Sequence, residues 1–326
     1  MVPLRHNACV TGNQFPLQVS EEVSDAIASG TGVVALESTI ISHGLPSESS
    51  AQTARQIEET VRRQGAVPAT VAIVDGAVQV GLSDDSLDRV AQDTDVVKAS
   101  IRDLASVMAQ GLIGATTVAA TSYLANLAGI RVFATGGLGG VHRGAHDSWD
   151  ESADLAALGS IPITVVCAGA KSILDVPATL ERLESLSVTV VGFGTDTFPG
   201  FYIRDTGLPV PWRVDDPAEI AAMMAHRDRL GLTQALVVAN PIAEVDEMDP
   251  VLHEQTLVAG LAAVERDGVK GKDVTPYLLA FFHEQTRGAS LDANVALVLG
   301  NAALAGRVAK EVGVPDRERL SARGRS

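Results

Sequence analysis

Six short apolar runs recur along the chain, at residues 33–36, 71–74, 131–135, 163–168, 188–193 and 235–239. Each gives way to small or polar residues and then to a segment of helical period. The runs are continuous and rich in β-branched residues, where a strand with one wet face would alternate. Strands of this kind need cover on both faces. The arrangement that supplies it is a mainly parallel sheet between two layers of helices, so a three-layer α/β/α fold is expected. Ligands of such sheets lie beyond the C-terminal ends of the strands, so the residues just after each run are the places to look for chemistry.

Helical period predicts helices over residues 48–64, 84–92, 116–128, 172–185, 217–230, 249–267, 275–286 and 291–312. Asp175, Asp216 and Ser290 stand at three of the starts, with Pro217 at a first helical position. No internal repeat or Pro-, Gly- or Ser-rich linker divides the chain. One domain over 17–314 is therefore expected, between a flexible stretch 1–16 and a charged tail 315–326.

With 46% apolar and 20% charged residues, the composition is that of a soluble globular protein. The 25 Lys and Arg against 40 Asp and Glu give a net charge of −15, which repels a polyanion along its length. A nucleic-acid polymer is excluded as a partner, whereas a single phosphate can still be held by a few placed donors. Residues 111–130 carry no charge and are long enough to span a bilayer. Their Ala, Gly, Thr, Ser and Asn content predicts a buried core helix, with no membrane partner. Only Cys9 and Cys167 are present, and Met1 to Val10 has no signal-peptide core, so a reducing, cytoplasmic setting is expected.

Lysine is scarce, with five (Lys98, Lys171, Lys270, Lys272 and Lys310) against 20 Arg. Lys171 follows an apolar strand and a small-residue turn, which places its amine at the ligand-binding edge. An exposed lysine of pKa ~10.4 is neutral in roughly one molecule in 2,500 at pH 7, a handicap of about 4.6 kcal/mol for a nucleophile. Burial and a neighbouring cation remove most of that. The competing reading is a lysine that snorkels out of the turn or pairs with Asp175.

Glu37 directly follows the run 33–36 and precedes Ser38-Thr39-Ile40-Ile41-Ser42-His43-Gly44. A carboxyl desolvated at a strand end can stay protonated, as a general acid must; it can equally cap the N–H groups of the next loop. His43 reads as a hydrogen-bonded loop residue. In Ala134-Thr-Gly-Gly-Leu-Gly-Gly-Val-His142-Arg143-Gly-Ala-His146-Asp147-Ser-Trp-Asp150, four glycines in five residues permit close backbone approach without forming a dinucleotide fingerprint. If this segment is helical, His142, His146 and Asp150 share a face. Such a site, rich in oxygen and without Cys, suits Mg or Mn; the alternative is a solvated loop. Thr116 and Thr117 at a predicted helix start, with Lys98 as a point charge, are phosphate candidates. Asn294, inside the last apolar helix, either reads a polar ligand edge or makes a core hydrogen bond.

Four blocks carry a resemblance: Val34-Ala-Leu-Glu-Ser-Thr-Ile-Ile-Ser-His-Gly-Leu-Pro46, Gly65-Ala-Val-Pro-Ala-Thr70, Phe133-Ala-Thr-Gly-Gly-Leu-Gly-Gly-Val-His-Arg-Gly144 and Val165-Val-Cys-Ala-Gly-Ala-Lys-Ser-Ile-Leu-Asp175. From about residue 17 to 312 the chain resembles the indigoidine synthase A-like family of pseudouridine-5′-phosphate glycosidases. The resemblance implies reversible cleavage of the bond between uracil C5 and ribose C1′, giving uracil and ribose 5-phosphate. It implies Lys171 as the nucleophile that forms a covalent adduct, Glu37 as proton donor, and one Mn²⁺ per subunit held by Asp150. It also implies substrate contacts at Lys98, Val118, Ser152, Ala153 and Asp154, and a homotrimer. Thr117, His142 and Asn294 join the candidate substrate-binding set from their own positions. The chain departs from the family pattern at His146-Asp147-Ser148-Trp149 and Glu151, so His146 is not carried over as a ligand. Two other readings use the same residues: a lysine Schiff-base aldolase or lyase acting on another sugar phosphate, and a non-catalytic nucleotide-binding module.

Overall fold

Continuous apolar strands should bury successive side chains on opposite faces, and they do. In Val33–Leu36 every residue is buried. Val33 and Ala35 enter one apolar layer with Phe133, Val165 and Cys167. Val34 and Leu36 enter the other with Ala134, Val166 and Ala168. At roughly 1.5–3 kcal/mol per buried Val or Leu, covering both faces is what holds the sheet in place.

The structure, a computed structural model, describes residues 17–269 and 274–313. The termini expected at 1–16 and 315–326 lie outside them, as does Cys9. Among the described residues there are eleven strands: β1 (Leu17–Val19), β2 (Val33–Leu36), β3 (Val67–Val74), β4 (Ala77–Val80), β5 (Val97–Ala99), β6 (Gly114–Thr116), β7 (Val132–Ala134), β8 (Thr164–Cys167), β9 (Thr189–Phe193), β10 (Trp212–Val214) and β11 (Leu236–Ala239). The sheet runs β1-β4-β3-β2-β7-β8-β11-β9-β10, with β6 joined to β3 and β5 to β6. From β3 through β10 the neighbours are parallel. The long β3 changes partners halfway: Val67 to Thr70 pair with β2, while Val71 to Val74 pair antiparallel with β4. The protein is thus a mainly parallel α/β sheet flanked by helices, with a small antiparallel corner.

One helical layer includes Val118–Leu127, Ala153–Leu158 and Val176–Ser185, and the other Ser47–Arg63, Pro217–Arg229 and Ala289–Gly313. Three helix starts depart from expectation. Residues 111–130 are not one helix: Gly114 to Thr116 form β6, and the helix starts at Val118 behind Thr117, whose hydroxyl accepts from the Ala120 N–H at 3.4 Å. The helix expected from residue 172 starts at Val176, because Asp175 accepts from the Ala178 N–H and Pro177 suits the first turn. Asp216 caps its helix as expected. Ser290 does not, since the last helix begins at Ala289 and the Thr286 hydroxyl takes the Ser290 N–H. That last helix is apolar and long enough to cross a membrane, yet it packs on β2, β7 and β8 as a core helix.

Candidate active site

Glu37 immediately follows β2. It is 8% exposed and accepts a hydrogen bond from the Thr135 hydroxyl, which follows β7. Burial pushes its carboxyl above the ordinary carboxylate range, opposed chiefly by the charge of Lys171. The sequence alternative, a carboxylate capping the next loop, does not fit, because the hydroxyl of Thr135 is the hydrogen-bond donor that reaches it.

Lys171 is pinned at both ends by the glycine-rich loop. Past β7 and β8 the chains continue side by side: the Ala168 N–H donates to Gly136 O, Leu138 to Gly169 O, and Lys171 to Leu138 O. The Lys171 Nζ then donates to Gly137 O at 2.9 Å. Asp175 is engaged as a helix cap, so the alternative pairing with it does not occur. The glycines supply room: a Cβ at Gly137 would collide with the Phe201 ring, one at Gly139 with Ser152 and Asp154, and one at Gly140 with Thr179.

Both residues open on one cavity of about 380 Å³, which lies beyond the C-terminal ends of β2, β6, β7 and β8. Lys98, Thr117, Val118, Ser152, Ala153 and Asp154 are among its lining residues. Here the first turns of Val118–Leu127 and Ala153–Leu158 meet, capped by Thr117 and Ser152, and helix starts of this kind favour an anion. Asp154 is the brace between them. Its two oxygens accept from the N–H groups of Ala119 and Gly139, both at 2.9 Å, so its carboxylate is already committed to the scaffold. Thr116 is withdrawn from the site, its hydroxyl donating to Val71 O in the core.

Asn294 lines the cavity as well. Its amide N–H₂ donates to Gly44 O at 3.4 Å, and its buried Oδ1 has no partner. Asn301, two turns on and therefore on the same helix face, donates to Thr135 O and Gly136 O and accepts from Asn240. One helix thus presents a polar edge to the cavity and also clamps the loop behind it.

His142, Asp150 and Glu151 also line the cavity, and of the two readings left open for this segment the continuous helix with His142, His146 and Asp150 on one face does not form. Only Ala145–Ser148 is helical, and Trp149, in the left-handed region at φ 58°, turns the chain back. His146 is left in solvent beside Asp147. Asp150 returns to His142, whose N–H donates to Asp150 O, with Nδ1 3.9 Å from the carboxylate. Burial lowers the His142 pKa, opposed by Asp150. Glu151 is tied to Arg182 at 2.9 Å. Among the described residues, no three His, Cys, Asp or Glu are grouped as a metal cage. A lone carboxylate on an open cavity fits a hard ion that keeps most of its water, and does not fit a structural zinc.

The cavity also includes residues that sequence reasoning left out: His43, Ser100, Arg102, Phe201, Thr275, Pro276 and Leu279. His43 has a signal, its place in the block after Glu37; burial and Lys98 hold it below the usual histidine range. Arg102 and Phe201 carry none.

A family model described as "Indigoidine synthase A like protein" matches residues 22–311. The chain is 56% identical over 296 residues to a protein of Salinispora tropica named pseudouridine-5′-phosphate glycosidase, covering 90% of this chain and 91% of that one. A protein of the same name from Frankia alni is 54% identical over 299 residues, covering 92% of this chain and 83% of that one. Among solved structures, the prealnumycin C-glycosynthase AlnA in complex with ribulose 5-phosphate aligns with a TM-score of 0.86 at 37% identity, covering 96% of this chain and all of that one. An indigoidine synthase A-like protein of Thermotoga maritima gives 0.85 at 34% identity, covering 94% of this chain and all of that one. A match over nearly the whole described chain, at more than half identity to its relatives, establishes that this protein belongs to the indigoidine synthase A-like family.

Proposed function

We propose that the protein is a pseudouridine-5′-phosphate glycosidase, cleaving the C5–C1′ bond of pseudouridine 5′-phosphate to uracil and ribose 5-phosphate. The observation that carries this reading is a scarce, loop-pinned lysine and a buried carboxyl, raised above the ordinary carboxylate range by desolvation, on one cavity that two helix starts also border. A carbon leaving group cannot depart as an oxygen or nitrogen does, and these two groups supply what it lacks.

In the reaction, the Lys171 nitrogen attacks C1′; the bond from C1′ to the ring oxygen breaks, and that oxygen takes the proton the lysine nitrogen gives up. The C1′–C5 bond then breaks as the lysine nitrogen lone pair forms an iminium, and the carbanion character at C5 is quenched by the proton of Glu37. Water adds to the iminium, releasing ribose 5-phosphate and restoring the amine. Lys98 and the helix starts at Thr117 and Ser152 hold the phosphate, while Val118 and Ala153 shape the wall. Asn294 has an open acceptor for a base N–H. Asp150 is the residue that would hold a Mn²⁺, and such an ion supplies fixed positive charge and ordered water. His142 orients Asp150.

Incubation with pseudouridine 5′-phosphate and Mn²⁺ should release uracil and ribose 5-phosphate together, in equal amounts; substrate left intact, with no uracil released, rules this reading out. Borohydride during turnover should fix the sugar phosphate on Lys171, read by peptide mass spectrometry. Lys171→Ala should bind substrate but release no uracil, and Lys171→Arg should not rescue, because guanidinium stays protonated. Asp150→Ala should reduce Mn²⁺-dependent turnover far more than His146→Ala; equal losses would refute the metal assignment. A cytoplasmic homotrimer completes the proposal, and sedimentation at the mass of one 33.9 kDa chain would refute the assembly.

A further inference from the structure

Glu37 lies between two spaces. In front is the large cavity; behind, toward helix Ser47–Arg63, is a pocket of about 10 Å³. Its walls include the apolar Leu36, Ile57 and Val298, and its side-chain polar groups are Glu37, Thr70 and Thr135. That is about the room one water needs, with the three polar partners a buried water typically uses.

Thr70 leads onward. It sits in β3 opposite Leu36, is 1% exposed, and its hydroxyl donates to Glu58 Oε1 at 2.6 Å. Glu58, on helix Ser47–Arg63, borders a second, polar space of about 310 Å³ on the edge of the molecule, beside Gln18, Glu22, Arg62 and Gln79. A line of polar atoms therefore crosses an otherwise apolar layer, from the carboxyl of Glu37 to an open groove. Neither Thr70 nor Glu58 touches the large cavity.

We infer that Thr70 and Glu58, with one water between Thr70 and Glu37, form a proton relay that recharges Glu37 from the groove. This rests on the function proposed above, in which Glu37 gives its proton to C5 while the bound base covers its front. The water gives a proton to Glu37; the Thr70 hydroxyl, which at rest donates to Glu58, rotates to give its proton to the water, and the Glu58 carboxyl in its protonated form gives one to Thr70. Glu58 is then reprotonated from solvent, and the proton released when the iminium is hydrolysed balances the cycle. Glu37 faces Lys171, Asp154 and Lys98, with Thr135 beside it; Glu58 faces Thr70, Arg62, Glu22 and Asp84. Burial raises both carboxyls, so each retains its proton to higher pH than an exposed one.

The test is steady-state uracil release in H₂O and D₂O by the full chain and by Thr70→Val, Thr70→Ser and Glu58→Gln. Thr70→Val keeps the side-chain shape and removes the hydroxyl; its kcat should fall about tenfold at unchanged KM, with a larger solvent isotope effect. Thr70→Ser should recover both values, and Glu58→Gln, on a partly exposed helix face, should reproduce the loss without touching the strand. A hydroxyl that only ties strand to helix would lower Tm and leave the isotope effect alone, and that outcome overturns the relay. Parent-like kcat in both Thr70→Val and Glu58→Gln also overturns it while leaving the glycosidase reading intact. Absence of uracil release by the parent overturns both.

Discussion

Glu37 shows how one residue carries opposing demands. Its folded pKa lies above the ordinary value of 4.5 because burial penalises the carboxylate. A raised pKa means that its favourable contribution is full below 4.5 and is lost as pH rises through the folded value. The same upward shift favours the protonated form that donation to carbon needs. Glu37→Gln keeps an acceptor for the Thr135 hydroxyl and removes the charge. It should therefore raise Tm at neutral and alkaline pH while cutting kcat by about 10²–10⁴-fold, the usual range for a lost general acid. A pH series of thermal melts beside the uracil assay checks both; a variant less stable than the parent at pH 8 would contradict the desolvation argument.

At the scale of elements, the loop from Gly136 to Gly140 is read better as a fitted part than as a flexible one. None of its glycines has positive φ, so their small size is what is used. Gly139→Ala would drive a Cβ into Ser152 Oγ and Asp154, disturbing the brace that holds two helix starts at the cavity. Overpacking of this kind costs about 1–3 kcal/mol. Activity should fall by about tenfold or more, since even a small misplacement of reacting groups is costly. Gly144, at φ 78° with open space around it, is the contrast. Gly144→Ala should cost about 1–2 kcal/mol through the left-handed backbone alone and leave KM near the parent value. Denaturant titration and substrate kinetics on the pair separate space from conformation.

Across the whole molecule, burial sets the acid response. His43, His142 and His253 are all pushed below the ordinary histidine value of 6.5, in each case first by desolvation. A depressed histidine contributes stability above 6.5 that is lost as pH falls through its folded pKa. Glu37 and Glu58 act in the opposite sense. His253 is the cleanest probe, because it lies outside the cavity against Tyr202 and Phe282, with an unpartnered buried Nε2 and with Glu254 and Arg143 as its charged neighbours. His253→Phe should lose less Tm than the parent between about pH 7 and about pH 5.5, with uracil release unchanged. Parallel Tm curves would show that His253 does not contribute.

The sequence by itself determined the layered parallel sheet, because strands buried on both faces leave a local trace of consecutive β-branched residues. It also determined that Glu37 and Lys171 stand at strand ends, since each directly ends or closely follows such a run. Of the five three-residue strands among the described residues, β1, β5, β6 and β10 left no comparable trace, because each carries a polar residue among its three (Gln18, Lys98, Thr116 and Arg213), where β7 reads Val-Phe-Ala. The short helix Ala145–Ser148 likewise stands where one of the two open readings put a continuous helical metal face, because Trp149 reverses the chain within one turn. Only the tertiary structure decided what surrounds the reacting groups. Thr135 reaches Glu37 across 98 positions, Asp154 braces Ala119 across 35, and Asn301 holds Thr135 across 166. Burial, pKa and clamping at this site arise from contacts between residues far apart in the chain, and spacing along the chain carries no record of which distant elements the folded sheet brings together.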